Sequence, residues 1–195
     1  HTRTRRQRQM CIRDSDRDSM IFADGAGATI IEKVEEEGGI LSHNTASYTD
    51  DEVFYLFYGK SFNPKADQKT KYIKMRGRKV YEFALTNVPA AMKDCLDMAN
   101  TDISEVKKIL IHQANAKMDD AIVKRLYKLF NSDSPEKVMP LTVDRFGNSS
   151  VATVPTMYDL IVRNKLGVHK IEKGDKIIFA SVGAGMHINA MVYQY

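Results

Sequence analysis

The chain has 195 residues, 43% of them hydrophobic and 28% charged, an ordinary balance for a soluble globular protein. No apolar run approaches the ~18 residues that a membrane-spanning helix needs, and two cysteines, Cys11 and Cys95, are too few for a disulfide framework, which suits a reducing cytosol. The net charge of +4 hints at nucleic acid only until it is located: residues 1–15 hold five arginines and one acid, and the remainder carries 24 basic and 24 acidic residues. A cytoplasmic protein is expected, with neither nucleic acid nor membrane as a partner.

Residues 1–15 contain no lysine, against eighteen in the rest, and show no helical or strand period. They are read as a non-native or disordered tail, more like translated adapter sequence than a functional arm, so Cys11 carries no mechanism. From Met20 the pattern predicts strand, turn, strand: Met20–Phe22, Asp24–Ala28 and Thr29–Ile31. A dinucleotide fingerprint would need a third glycine at position 30 and a following helix; the chain has Ile30-Ile31, so Gly25 and Gly27 are read as a close-packed bend.

Residues 38–76 lack a sustained period and read as loop with short strands, a flap over a site. From Gly77, apolar residues at Val80, Tyr81, Ala84, Leu85, Val88, Met92, Cys95, Leu96 and Ala99 mark the buried face of a helix. Pro89 is expected to kink or divide it, and Cys95 belongs to the buried stripe. Lys107–Ile111 predicts a strand delivering His112, followed by a helix over Met118–Phe130 with Met118, Ile122 and Leu129 on its packing side. Val138–Val143 predicts a strand delivering Asn148. A helix capped by Ser149 or Ser150 then runs to about Leu166. Lys176–Ser181 and His187–Tyr195 are strands flanking the Gly183–Gly185 bend. The order implies an α/β layered sheet.

Three polar corners therefore end or separate these elements: Ile111-His112-Gln113-Ala114-Asn115, Arg145-Phe146-Gly147-Asn148-Ser149-Ser150 and Ser181-Val182-Gly183-Ala184-Gly185. An imidazole, a carboxamide and a Gly-rich turn converging on one point would hold a negatively charged oxygen, as carbonyl chemistry requires. Singly, each corner also fits a structural role. No His, Cys or acid stands at ligand spacing around His112, so no metal is expected.

Together these motifs resemble the C-terminal half of the 3-oxoacyl-acyl-carrier-protein synthase III family: His-Gln-Ala-Asn, then Gly-Asn-Ser-Ser before a helix, then Gly-x-Gly in a terminal hairpin. Phe22-Ala-Asp-Gly-Ala-Gly-Ala28 and Met75-Arg-Gly-Arg-Lys-Val-Tyr81 resemble two further family segments, so the likeness runs from about Asp16 to Tyr195. It implies a thiolase-like layered fold, αβαβα in the full subunit. Residues 16–36 would end the N-terminal half and 37–195 would form the C-terminal half.

The resemblance implies decarboxylating Claisen condensation of an acyl group from acyl-CoA with malonyl-acyl-carrier protein, without a cofactor, in a homodimer. His112 and Asn148 become the catalytic donors, Ala184 the oxyanion backbone N–H and Asn115 a pantetheine-tunnel residue. Lys117, Lys124 and Lys128, spaced i, i+7, i+11, with Arg125 nearby, become a docking stripe for an acidic carrier protein. The family's nucleophilic cysteine lies upstream of the Met20 segment and nothing here replaces it, so the chain is expected to be a fragment and inactive alone. Rival readings are a hydroxymethylglutaryl-CoA synthase, a chalcone-synthase-like enzyme or a non-catalytic partner subunit.

Overall fold

A four-stranded sheet organises the protein, whose computed structural model describes residue 16 and residues 18–33, 35 and 37–195. The reading of residues 1–15 as a tail lies outside the described residues. The strands are β1 (Gly39–Ser47), β4 (Val106–Ile111), β5 (Lys176–Gly183) and β6 (His187–Gln194), in the order β1-β6-β5-β4. β4 and β5 run parallel; β5–β6 and β6–β1 are antiparallel. The parallel pair is covered on both faces, so its Ile109-Leu110-Ile111 and Ile177-Ile178 runs are continuously apolar rather than alternating. β6 alternates instead: Ile188, Ala190 and Val192 are buried, while His187 and Asn189 are exposed.

Helix α1 (Gly77–Met98) crosses β1, β6 and β5 on one face, and α2 (Ala116–Lys128) packs beside it. Their apolar stripes, including Ala84, Met92, Leu96, Ile122 and Leu126, form one core with Ile109, Ile178 and Ile188. Helix α4 (Thr153–Val162) covers β4 and β5 on the opposite face, where Met157 and Ile161 meet Leu110 and Ile177. Between α2 and α4 lies α3 (Val143–Phe146), a single turn. Strands β2 (Leu56–Lys60) and β3 (Lys71–Met75) form a separate hairpin. Among the described residues no helix is long and apolar enough to cross a membrane.

Five sequence expectations are corrected. Pro89 does not divide α1, which runs unbroken through 22 residues; burial of Val88, Pro89, Ala91 and Met92 offsets the one missing N–H donor. Residues 38–76 contain, beside the hairpin, the nine-residue edge strand β1. The segment also packs a turn at Asp51–Tyr55 against the Ala184–Met186 bend, so the third corner is where it touches a candidate motif. Val138–Val143 is not a strand: one bond, from the Ile109 N–H to the Val138 carbonyl at 3.0 Å, replaces a ladder. The expected long helix to Leu166 is a 3-10 turn at Ser150–Ala152 followed by α4, which stops at Val162. Leu129, expected on the packing side of α2, is 46% exposed.

The N-terminal segment also differs. Asp18–Ile21 is a 3-10 turn, and residues 23–33 form no strand. Phe22 alone bridges to Asn148. The close-packed reading of the glycines holds: a Cβ on Gly25 would lie 2.8 Å from that of Ser149, and one on Gly27 would lie 2.5 Å from the Pro155 ring. The segment is anchored at its start by Lys74, buried in β3, whose Nζ reaches Asp16 at 2.8 Å and Asp18 at 2.8 Å beneath the Phe62 ring.

Candidate active site

The first corner begins where β4 ends. His112 still follows the sheet, its backbone N–H donating to the Ala180 carbonyl at 2.8 Å, and its side chain is half-buried. Burial holds its pKa below the usual histidine range, partly offset by a hydrogen bond to the Ser150 backbone. The ring is therefore neutral at pH 7, carries one proton, and has one nitrogen tied to the second corner.

The next residue, Gln113, is fully buried. Its Nε2 donates to the Pro140 carbonyl at 2.7 Å and approaches Met157 Sδ at 3.3 Å. Its Oε1 accepts from the Thr142 N–H at 2.8 Å, the Thr142 hydroxyl at 3.1 Å and the Val143 N–H at 3.0 Å. Asn115 caps α2, its Oδ1 accepting from the Met118 N–H at 2.9 Å. One turn on, Asp119 is completely buried, and its carboxyl pKa is pushed up to about 7 by desolvation, against a weaker pull from the backbone of Ala114 and Asn115. Neither of its oxygens meets a well-formed hydrogen-bond donor.

The second corner follows α3. Gly147 takes φ +66°, a left-handed value that favours glycine, and a Cβ there would lie 3.0 Å from that of Ala23. Asn148 is buried and fixed by its neighbour segment: its carbonyl accepts from the Ala23 N–H at 2.8 Å, and its N–H donates to the Ile21 carbonyl at 3.3 Å. The side-chain Oδ1 accepts from the Ser150 N–H at 2.9 Å, which leaves the amide NH₂ as the donating end. The Ser149 and Ser150 hydroxyls do not cap backbone N–H groups as expected. Ser149 Oγ instead lies 3.1 Å from Thr153 Oγ1.

At the third corner Gly185, not Ala184, takes the left-handed backbone, φ +76°. Ala184 therefore carries no strain from its side chain and is exposed. A Cβ on Gly185 would lie 2.5 Å from the His187 ring, so the bend needs glycine there.

His112, Ser150 and Gly183 share a cavity of about 500 Å³, closed on the sheet side by His43, Ser181 and Asn189. All three corners thus contribute to one cavity. Asn148 and Ala184 are not among its lining residues; Asn148 stands directly behind Ser150. Asn115, Lys117, Lys124, Arg125 and Lys128 lie apart from it, on the exposed start and outer face of α2. Within that stripe Lys124 pairs with Asp120 at 2.8 Å. Cys95 is fully buried and its thiol is pushed up to about 11, so it is protonated and shielded. Among the described residues no three His, Cys, Asp or Glu side chains gather to hold a metal.

The sequence reading passed over Gln113 and Asp119. A glutamine beside a candidate histidine carries no local signal of being buried, and Asp119 sits at a helical position where an acid in the first turn reads as ordinary surface.

A four-stranded sheet with helices on both faces and polar corners at its strand ends defines a layered α/β architecture, and the comparisons specify it. Residues 96–195 match the family described as 3-oxoacyl-[acyl-carrier-protein (ACP)] synthase III C terminal, and the chain belongs to that family. It is 32% identical over 180 residues to the β-ketoacyl-[acyl-carrier-protein] synthase III of Erythrobacter litoralis, covering 90% of this chain and 52% of the relative. To the enzyme of the same name from Lactobacillus helveticus it is 32% identical over 187 residues, covering 93% and 54%. The crystal structure of β-ketoacyl-[acyl-carrier-protein] synthase III from Thermus thermophilus superposes with TM-score 0.67 at 25% identity, over 85% of this chain and 49% of that one. A priming β-ketosynthase of the R1128 polyketide pathway shares the fold with TM-score 0.65 at 22% identity, over 80% and 45%. The chain spans about half the length of the curated relatives it matches, and its architecture is the C-terminal half of the thiolase-like fold.

Proposed function

We propose that the chain supplies the decarboxylating half of a Claisen condensing site, acting on malonyl-acyl-carrier protein and an acyl group delivered by acyl-CoA. The observation that carries this reading is a neutral His112 lining a cavity against the corner where Asn148 has its carbonyl oxygen already engaged. That leaves the Asn148 carboxamide NH₂ as one donor, and His112 becomes the second when its single proton sits on the ring nitrogen turned away from Ser150. Loss of CO₂ from the malonyl thioester leaves its electron pair as an enolate. Two neutral donors stabilise the developing O⁻, while a cationic histidine would be costlier to hold in this buried position. The enolate carbon then attacks the acyl thioester, and the thiolate leaves as the carbon–carbon bond forms.

In the same reading the Ala184 N–H, on a bend that an L-residue adopts without strain, donates to the oxyanion of the acyl thioester. Asn115 keeps its NH₂ free of the helix cap for a pantetheine amide, and Lys117, Lys124, Arg125 and Lys128 receive the carrier protein. Cys95 is unsuited to be the nucleophile, so a cysteine from sequence outside this chain accepts the acyl group, and the chain alone forms no acyl-enzyme. No cofactor is needed, because both acyl groups arrive as thioesters. The assembled enzyme is expected to be a homodimer in the cytoplasm.

The test joins this chain to the upstream half of a relative. His112→Ala and Asn148→Ala should each cut malonyl decarboxylation by ~10²–10³ and leave acyl transfer from CoA nearly intact. Equal loss in both half-reactions would overturn the assignment of the two donors.

A further inference from the structure

We infer that Gln113 is a positioning residue that sets the His112 corner and the Asn148 corner in register with each other. It is adjacent to His112 in the chain, so its backbone moves with that corner. Its side chain belongs to the other one. Through Oε1 it accepts the N–H groups of Thr142 and Val143, the unpaired donors at the start of α3. Thr142, the residue at that cap position, makes no side-chain cap of its own and instead turns its hydroxyl to the same Oε1. Gln113 thus caps α3 from 29 residues away in sequence.

The cap has a direct consequence for Asn148. α3 is a single turn, closed by bonds from Arg145 and Phe146 to the Thr142 carbonyl and from Gly147 to the Val143 carbonyl, at 2.9 to 3.0 Å. Asn148 follows immediately, so whatever fixes Thr142 and Val143 fixes the approach to Asn148. The other arm, Nε2 to the Pro140 carbonyl and Met157 Sδ, holds the incoming loop and the top of α4. Both ends of the fully buried carboxamide are engaged, and an apolar replacement would strand the buried Thr142 N–H and the half-buried Val143 N–H. This also explains why residues 138–143 need no strand ladder.

The inference rests on reading His112 and Asn148 as paired donors, but its test is structural and independent of turnover. The 195-residue chain, labelled with ¹⁵N and ¹³C, is compared with Gln113→Met, Thr142→Val and Thr142→Ser by NMR and native-state amide exchange. Gln113→Met should accelerate exchange at Phe146 and Gly147 by about tenfold more than at the β5–β6 amides. It should also shift the His112 ring and the Asn148 amide resonances together. Thr142→Val, which deletes only the hydroxyl arm, should act in the same direction by roughly threefold, and Thr142→Ser should restore the wild-type pattern. If exchange at Phe146 and Gly147 rises only as much as in β5–β6, the residue contributes global stability and the inference fails. It fails too if one corner moves without the other. Should Gln113→Met not fold, the Thr142 pair decides the matter alone. Loss of this coupling would leave the roles of His112 and Asn148 standing, whereas their failure in the half-reaction assay would leave the coupling standing.

Discussion

The two faces of the central sheet are made from the same strands but are finished differently. Toward α1 and α2, the inward residues Ile178, Ala180, Ile188, Ala190 and Val192 are covered from β5 out through β6. Toward α4, cover reaches β4, β5 and only the far end of β6, where Tyr158 packs edge-on against Phe179 at 5.5 Å and Tyr193 at 6.0 Å. Beyond that aromatic edge and Met191, polar residues of β6 and β1 face outward: Asn189 accepts from the Thr45 hydroxyl at 3.0 Å, and His187 Nδ1 lies 2.7 Å from Ser47 Oγ. The cavity with His112 opens at this boundary. The completed face supplies rigidity, and the candidate chemistry sits where packing stops. Donors held against a rigid layer need little reorganisation when charge develops beside them.

One residue from each of the neighbouring strands β5 and β6 offers the sharpest way to break this contrast. Ile178→Ala, on the completed face, should cost ~2–5 kcal/mol in chemical denaturation. Asn189→Ala, on the open face, should stay within about 0.5 kcal/mol. Similar costs at the two positions would show that both faces carry the fold equally.

A smaller effect of opposite sign is expected inside the completed layer. The Asp119 carboxyl titrates higher in the folded protein, at about 7, than its ordinary 3.8. The folded state therefore holds its proton more tightly, and this contribution to stability is full below pH 4 and lost as pH rises toward 7. Asp119→Asn should leave stability at pH 4 nearly unchanged and raise it at pH 8 by ~2–4 kcal/mol. A variant no more stable than wild type at pH 8 would mean that Asp119 is solvated or paired.

The outer surface of α2 should respond least, and only in kinetics. With the upstream half joined, changing Lys117, Lys124 and Lys128 to Glu should raise KM for malonyl-carrier protein severalfold at low salt. The effect should fade as the screening length falls below ~10 Å, and malonyl-pantetheine should be used as before. Equal change for both substrates, or none, would return the stripe to ordinary surface. The Lys124–Asp120 pair lowers that residue's share of the effect.

Much of the frame was legible in the chain. The buried run before His112, the apolar stripe of α2 and the alternation of β6 report local periodicity, and each element formed within two residues of its expected limits. β1 was missed because Gly39-Ile40-Leu41-Ser42-His43-Asn44 has little alternation, and its partner β6 lies some 150 residues away. The motif at 147–150 was legible, but its expected strand was not formed: the Pro140 carbonyl and the Thr142 and Val143 N–H groups pair with the Gln113 side chain instead of a ladder.

The sequence by itself determined the limits of β4, α2, β5 and β6 to within two residues, because hydrophobic period and turn chemistry act over a few neighbours. Only the tertiary structure decided that burial keeps His112 neutral, that Asn148 stands buried against residues 21–23, and that one buried carboxamide joins their corners. Those outcomes depend on desolvation and on hydrogen-bond partners 27 to 30 positions distant, an acceptor at Pro140 and donors at Thr142 and Val143, which no local pattern encodes.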